Sequence, residues 1–344
     1  MDAGRVLDWR AAFGVSDPSL SDAGRLTARR AADDLAAFLG PTWLWRAAQR
    51  PAAERPELAV LSGSSDAVAV LLDAVSLWAR LRLLVEHGVQ GIAKLRGNLA
   101  RNPGRDEFRH GATQARLAAQ ALLAGARPVL EPPVGDVLVQ SGSMDLRAEL
   151  LLELRGLNRA GPGTTRRLVR AVELKAKQTR SAPAAWVWIE DGGALWSLPG
   201  FGDRPARERI DLVAEALDRV FATWPHLCGV VLATTPSPPA PAASSPSPVA
   251  VAVTERHDRG AALLRVLPDG RTRDTVVVHR PALDAAQFGL VHRLCADEPA
   301  WLDAALARLG LPGGVAALLD QNSGVNTRAS SCATRSSLSG IAQQ

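Results

Sequence analysis

Apolar residues recur at helical spacing through the first hundred residues of the chain. Ser21 and Asp22 form a helix-capping pair, and the apolar positions behind them predict a helix that runs to Leu39. A second apolar-periodic segment covers 68–85 and closes at a His-Gly pair, which is typical of a helix end. A third helix is predicted over 89–100, so we expect residues 1–104 to form a helical region.

The central part of the chain alternates between helical and strand patterns. A helix is predicted over 106–124, because its small and apolar residues fall on one stripe. The segments predicted after it are a strand over 128–131, a short apolar piece over 136–140, a strand over 145–155, a helix over 166–180, a strand over 184–190, a helix over 205–223 and a strand over 229–234. Strands separated by helices of this length indicate an α/β fold, a mixed central sheet flanked by helices.

Composition changes after residue 234. A Pro/Ser-rich stretch over 235–248 is predicted to be an extended insertion, since it suits neither a helix nor a sheet ladder. A β-hairpin over 263–279, with a Pro-Asp-Gly turn, and two helices within 282–309 complete an α/β domain that we place at 105–315. The Ser/Thr/Asn-rich tail over 321–344 lacks periodicity and is predicted to be disordered.

The bulk composition narrows the class of protein. The chain has 344 residues and contains no run of eighteen uncharged apolar residues, so no membrane span is predicted. Its start does not have the pattern of a secretion signal. The widely spaced Cys228, Cys295 and Cys332 argue against a disulfide framework or a zinc site. These features predict a cytoplasmic protein.

A formal net charge of +5 and a pI of about 9.8 invite a polyanionic partner. The signal is weak, because enrichment in Arg, Ala, Gly and Pro without any Tyr indicates a GC-rich coding bias. The only lysines are Lys94, Lys175 and Lys177. Because a GC-rich coding bias favours Arg over Lys, a lysine in such a chain suggests a need for a compact charge with an adjustable pKa. Two solvated helix lysines explain Lys175 and Lys177 equally well.

Two carboxylates on the strand predicted over 145–155 are candidate metal ligands. Asp145 begins the strand, and Glu153 follows eight residues later. The even separation places both side chains on one face, but eight residues of extended strand span about 26 Å. The two carboxylates can therefore share an ion only if the chain turns back near 146–149, where neither Gly nor Pro helps it.

A lysine on the following helix is a candidate for stabilising developing negative charge. From Leu168, the positions 172, 175 and 179 share one helix face, which predicts that Lys175 points toward the sheet and Lys177 toward solvent. Gln178 adjoins Lys175 one turn on. A lysine on an inward-facing stripe either extends its amine to water or serves a function.

Residues 106–234 resemble the PD-(D/E)XK nuclease-like superfamily in the order of their elements: helix, strand, turn, Asp, strand with a Glu-x-Lys pattern, helix and strand. The resemblance implies a restriction-endonuclease-like fold with Asp145 and Glu153 as metal ligands. Arg155 stands where the family usually has its lysine. Lys175 could supply the missing ammonium from the next helix, with Gln178 beside it.

The chain departs from the family pattern at two positions. Gln114 stands where the first helix often carries an acidic residue, and Arg155 replaces the motif lysine. An alternative registration uses Glu173-Leu-Lys175 as a literal Glu-x-Lys, which requires 167–177 to be a strand.

The resemblance implies a phosphodiesterase that acts on DNA and depends on Mg²⁺ (or Mn²⁺), with Arg155 or Lys175 stabilising the transition state. The two departures also leave open a weakened or inactive enzyme. The alternatives are a non-catalytic nuclease-like fold that binds nucleic acid or a protein partner, and an interaction protein in which the helices of 1–104 are the working part.

Overall fold

The computed structural model describes residues 21–40, 67–101, 105–142, 144–151, 163–191, 201, 204–234, 253–266, 272–296 and 306–307. Within these residues there are seven helices: α1 (Asp22–Leu39), α2 (Ala67–Glu86), α3 (Ile92–Arg101), α4 (Arg105–Leu123), α5 (Gly163–Gln178), α6 (Ala206–Thr223) and α7 (Ala285–Ala296). There are eight strands: β1 (Arg127–Leu130), β2 (Val137–Ser141), β3 (Met144–Leu151), β4 (Ala185–Asp191), β5 (Leu227–Thr234), β6 (Val253–His257), β7 (Gly260–Val266) and β8 (Thr272–His279).

The eight described strands form one mixed sheet in the order β1-β2-β3-β4-β5-β8-β7-β6. The three central strands β3, β4 and β5 run parallel, and every other pairing in the sheet is antiparallel. Helices α5 and α6 make the connections between the parallel strands, as such crossovers require. The structure is therefore α/β with a mixed sheet.

Helices cover both faces of the sheet. Strand β4 is buried on both sides, with Trp186 and Trp188 facing one core and Val187 and Ile189 facing the other. The tryptophan face packs against α1 to α4 and α7, whereas α5 and α6 pack on the opposite face. This alternation follows from the two-residue repeat of a strand, and burial on both faces explains why β4 reads as a continuous apolar run.

The N-terminal helices share their core with the sheet. Side chains of α1, α2 and α3 belong to the same buried cluster as α4 and the tryptophan face. Gly111 permits a close approach of α3 to α4, since a Cβ at that position would lie 2.7 Å from Leu99 Cδ2. Before α3, Gln90 forms a parallel bridge with Val129 of β1, and its carbonyl accepts a hydrogen bond of 3.0 Å from the Leu130 N–H.

The structure confirms most of the predicted elements. The helices and strands predicted between 106 and 234 are present, and the apolar piece over 136–140 forms β2. Their bounds differ by no more than three residues from those predicted, except that residues 152–155 of the predicted strand 145–155 lie outside the described residues. The predicted hairpin corresponds to β7 and β8, which pair antiparallel. Strand β6 was not predicted. The insertion predicted at 235–248, the tail at 321–344 and all but two residues of the last predicted helix lie outside the described residues.

Two alternatives considered for the central segment are wrong. Residues 163–178 form a helix, so Glu173-Leu-Lys175 does not lie on a strand. The turn required within 146–149 does not occur either, because 144–151 form one strand; the chain reverses between β2 and β3 instead, where Gly142 has a φ of 60°. Among the described residues, no helix combines the length and the apolar character needed to cross a membrane.

Candidate metal centre

Asp145 is the second residue of β3 and lies beside the hairpin that joins β2 to β3. It is paired in register with Gln140 of β2, is exposed to solvent, and accepts a hydrogen bond of 3.1 Å from the Gln140 side chain. About 20 Å of extended strand separates it from Leu151, at 3.3 Å per residue. Glu153 and Arg155 lie outside the described residues, so a metal site formed by Asp145 and Glu153 stays a prediction.

Lys175 lies at the margin of the buried stripe of α5. The inward positions of this helix are Leu168, Val172 and Ala176, and Lys175 is only partly buried. The stripe is centred near Val172, and position 176 lies closer to that centre than position 175 does. Gln178 is exposed at the end of the helix. The catalytic roles of Lys175 and Gln178 stay predictions.

The structure brings together three other side chains with metal-binding groups. His110 of α4, Glu131 directly after β1 and Asp136 directly before β2 each offer one ligand atom, and these atoms all lie within 4.8 Å of one another. We refer to these three residues as the His110 cluster. The contacts around these three residues determine how well the set fits a cation.

The turn between β1 and β2 places the two carboxylates of the cluster. The Glu131 N–H donates a hydrogen bond of 2.9 Å to the Asp136 carbonyl, which closes the turn. Glu131 has a φ of 49°, in the left-handed region that non-glycine residues seldom adopt. Such a conformation costs about 1–3 kcal/mol and persists only where the surroundings enforce it, often at functional sites.

Glu131 is held by three side chains from two helices. Gln114 Nε2 on α4 donates to Glu131 Oε1 at 2.7 Å, and Asn98 Nδ2 on α3 donates to the same oxygen at 3.2 Å. Lys94 Nζ, also on α3, lies 2.9 Å from Glu131 Oε2. These contacts fix the carboxylate in one orientation and place one of the three lysines of the chain beside it.

His110 and Gln114 lie one turn apart on α4 and face the two carboxylates. His110 Nε2 is 3.0 Å from Asp136 Oδ1 and 3.4 Å from Gln114 Nε2. The Gln114 side chain is fully buried, and its Oε1 has no hydrogen-bond partner among the described residues. The cluster residues themselves are partly open, with side-chain exposures of 30% for His110, 17% for Asp136 and 14% for Glu131. An ion from solvent can therefore reach them, and the Gln114 amide beside them has an oxygen without a hydrogen-bond partner among the described residues.

The cluster lies beside the first residue of β2. Strand β2 begins next to Asp136 and runs antiparallel to β3; its first residue, Val137, pairs with Ala148 of β3, which pairs with Trp186 near the start of β4. A second polar group lies four residues further along β4, where the buried Glu190 contacts Arg116 of α4 and Arg273 of β8.

No family model, curated protein or solved structure matches the chain. The residues of the His110 cluster were not identified from the sequence. The nearest signal was Gln114, which marked the part of α4 that faces the site. Two other features could have drawn attention to the cluster. These are His110, one helical turn before Gln114, and Asp136, which follows a Pro-Pro-Val-Gly turn.

Proposed function

We propose that this protein is a divalent-metal-dependent phosphodiesterase that acts on DNA, with its cation held by the His110 cluster. The observation that carries the proposal is the convergence of one imidazole and two carboxylates within 4.8 Å, where α4 meets the turn between β1 and β2. Carboxylate and imidazole groups at this spacing are ordinary ligands of divalent metals.

The order of elements around the cluster supports a restriction-endonuclease-like fold. Helix α4 is followed by the antiparallel strands β1, β2 and β3, then by helix α5 and by β4, which is parallel to β3. This is the succession of helix, strands, helix and strand on which the resemblance to the nuclease superfamily was based. The proposal moves the metal ligands from Asp145 and Glu153 to the other end of β2.

The residues around the cluster have complementary roles in this chemistry. A bound divalent cation would polarise a phosphoryl oxygen and lower the pKa of an attacking water. Glu131 and Asp136 supply negative charge to hold it, and the hydrogen bond from Asn98 keeps Glu131 oriented. The Lys94 side chain is 59% exposed, so its ammonium can meet an incoming phosphate and stabilise negative charge as it develops.

The Lys94 contact also favours a second candidate function. An ion pair of 2.9 Å already neutralises Glu131, as expected in a nuclease-like fold that binds DNA or a protein partner without cleaving it. In that case Lys94 would contact a phosphate, and binding would weaken with salt.

Plasmid nicking by the purified protein separates these functions. We expect nicking in Mg²⁺ or Mn²⁺, and a loss of about 100-fold or more in Glu131→Gln and Asp136→Asn. Asp145→Asn is the matched control, because it removes an exposed carboxylate about 13 Å along the sheet from Asp136.

Each other outcome has a distinct meaning. Full activity in Glu131→Gln would remove the His110 cluster from the site. A loss confined to Asp145→Asn would return the site to β3. Wild-type protein that binds DNA in a salt-dependent manner but never cleaves it would support the non-catalytic alternative.

A further inference from the structure

The buried amide of Gln114 has hydrogen-bonding capacity that its surroundings do not use. Its Nε2 donates to Glu131 Oε1 at 2.7 Å, while its Oε1 has no partner among the described residues although the side chain is 0% exposed. A buried amide oxygen without a donor is unfavourable, and native structures contain few of them. Such an atom beside two carboxylates and an imidazole calls for an explanation.

The contacts of His110 make the arrangement more difficult to satisfy. A carboxylate only accepts hydrogen bonds, so the distance of 3.0 Å to Asp136 Oδ1 requires His110 Nε2 to carry a hydrogen. Gln114 Nε2, 3.4 Å away, then places a second donor against the same nitrogen. Rotating the amide by 180° would repair this contact but would set two acceptor oxygens, Gln114 Oε1 and Glu131 Oε1, against each other.

A cation at the centre of the cluster removes the conflict. His110 Nε2 would then offer its lone pair, the carboxylates of Glu131 and Asp136 would face the ion, and the rotated Gln114 amide would add its oxygen. Lys94 could keep its contact, because it binds Glu131 Oε2 whereas Gln114 faces Oε1. All four groups then face the ion as acceptors, and the Gln114 Nε2 takes the buried position that Oε1 occupies in the hydrogen-bonded arrangement.

We propose that Gln114 is a fourth ligand and that the site selects a first-row transition-metal ion, such as Mn²⁺ or Zn²⁺, over Mg²⁺. The proposal rests on the metal site of the proposed function but not on its hydrolytic activity. An imidazole nitrogen suits transition metals, whereas Mg²⁺ favours oxygen ligands and retains much of its water. His110 is therefore the residue that determines metal selectivity, and Gln114 completes the set.

Calorimetric titration of metal-free full-length protein tests the selectivity. We expect one Mn²⁺ or Zn²⁺ per chain, bound at least about tenfold more tightly than Mg²⁺, and a loss of this preference in His110→Asn. Equal affinity for Mg²⁺ and Mn²⁺ would overturn the selectivity while leaving the proposed function intact. Selective binding without any plasmid nicking would support this inference and contradict the proposed function.

The melting temperature of Gln114→Glu tests the fourth ligand. When a chelator removes metal ions, we expect this variant to melt below wild type, because a third carboxylate is forced against Glu131. When Mn²⁺ is added, we expect its melting temperature to rise more than that of wild type, because the new carboxylate is a better ligand than the amide. Gln120→Glu is the matched control: it buries a carboxylate six residues further along α4, and its loss of stability should not depend on metal.

A second variant keeps the ligand role testable if Gln114→Glu fails to fold. Gln114→Met preserves the length of the side chain without the amide, and we expect it to weaken Mn²⁺ binding about tenfold or more. Unchanged Mn²⁺ affinity in Gln114→Met, or the same melting response to Mn²⁺ in both glutamate variants, would overturn the assignment of Gln114. Failure of every cation to bind would overturn the metal site itself.

Discussion

Replacing Glu190 by Gln should destabilise the protein by about 3 kcal/mol or more. The Glu190 side chain is 8% exposed and contacts two guanidinium groups, those of Arg116 and Arg273, the latter at 3.5 Å. It also accepts a hydrogen bond of 3.3 Å from Trp188 Nε1. Glutamine keeps the volume and one acceptor oxygen but removes the charge between two buried cations. Breaking a buried ion pair in this way costs about 3–5 kcal/mol.

Urea denaturation followed by tryptophan fluorescence measures this cost. The ring centroid of Trp188 lies 5.9 Å from the Arg116 guanidinium, and its Nε1 donates to Glu190, so Trp188 is one of the nine tryptophans whose summed emission follows unfolding. The double variant Arg116→Met/Glu190→Gln should lose less stability than the two single variants together, by about 1–3 kcal/mol. Asp218→Asn provides the control, because Asp218 pairs with Arg259 at a half-exposed position, where an ion pair contributes about 1 kcal/mol or less.

Two results would refute this reasoning. A cost for Glu190→Gln no larger than that for Asp218→Asn would mean that the buried carboxylate is not needed to balance the guanidinium groups. Strict additivity in the double variant would mean that Arg116 and Glu190 do not interact energetically.

Three further predictions concern other parts of the molecule. Burial lowers the pKa of His279. Below about pH 6.5 the unfolded chain therefore takes up a proton that the folded chain resists, so stability should fall as the pH drops. His279→Phe should reduce that fall in urea midpoints measured between about pH 8 and pH 5. Gly229→Ala should cost about 1–3 kcal/mol in the same assay, because its Cβ would lie 2.4 Å from the Trp186 ring. Lys94→Ala should slow plasmid nicking about tenfold or more, whereas the exposed Lys177→Ala should not. An unchanged pH slope, an unchanged urea midpoint or equal nicking rates in the two lysine variants would contradict the respective prediction.

The local elements could be predicted because their signals are local. The stripe of Phe108, Ala112, Ala115, Ala119 and Leu122 predicts the inward face of α4; the first four side chains are buried in the core, and Leu122 is partly buried against it. Strand order could not be predicted in the same way. The pairing of β5 with β8 joins segments about forty residues apart, and neither strand contains a pattern that specifies its neighbour.

The candidate site was the part least accessible from sequence. The alternation of side chains along a strand shows which residues share a face, but it does not determine where the chain turns. The turn assumed after Asp145 is absent, because 144–151 form one strand. Glu131 meets Asp136 through a left-handed backbone conformation at a non-glycine residue, for which the sequence gives no signal. His110 reaches the same point from a helix that precedes both carboxylates in the chain.

Residues before position 104 contact both the sheet and the His110 cluster. Gln90 forms a bridge with Val129, and Lys94 and Asn98 contact Glu131. The predicted boundary at residue 104 suggests a place to divide the chain, yet Lys94 and Asn98, which contact Glu131 of the His110 cluster, precede it. A fragment beginning at 105 would keep His110, Glu131 and Asp136 but lose the ammonium and amide that orient Glu131. The described helices before residue 104 and the sheet after it therefore form one structural unit with a shared core, and the proposed metal centre should be assayed only in the undivided chain.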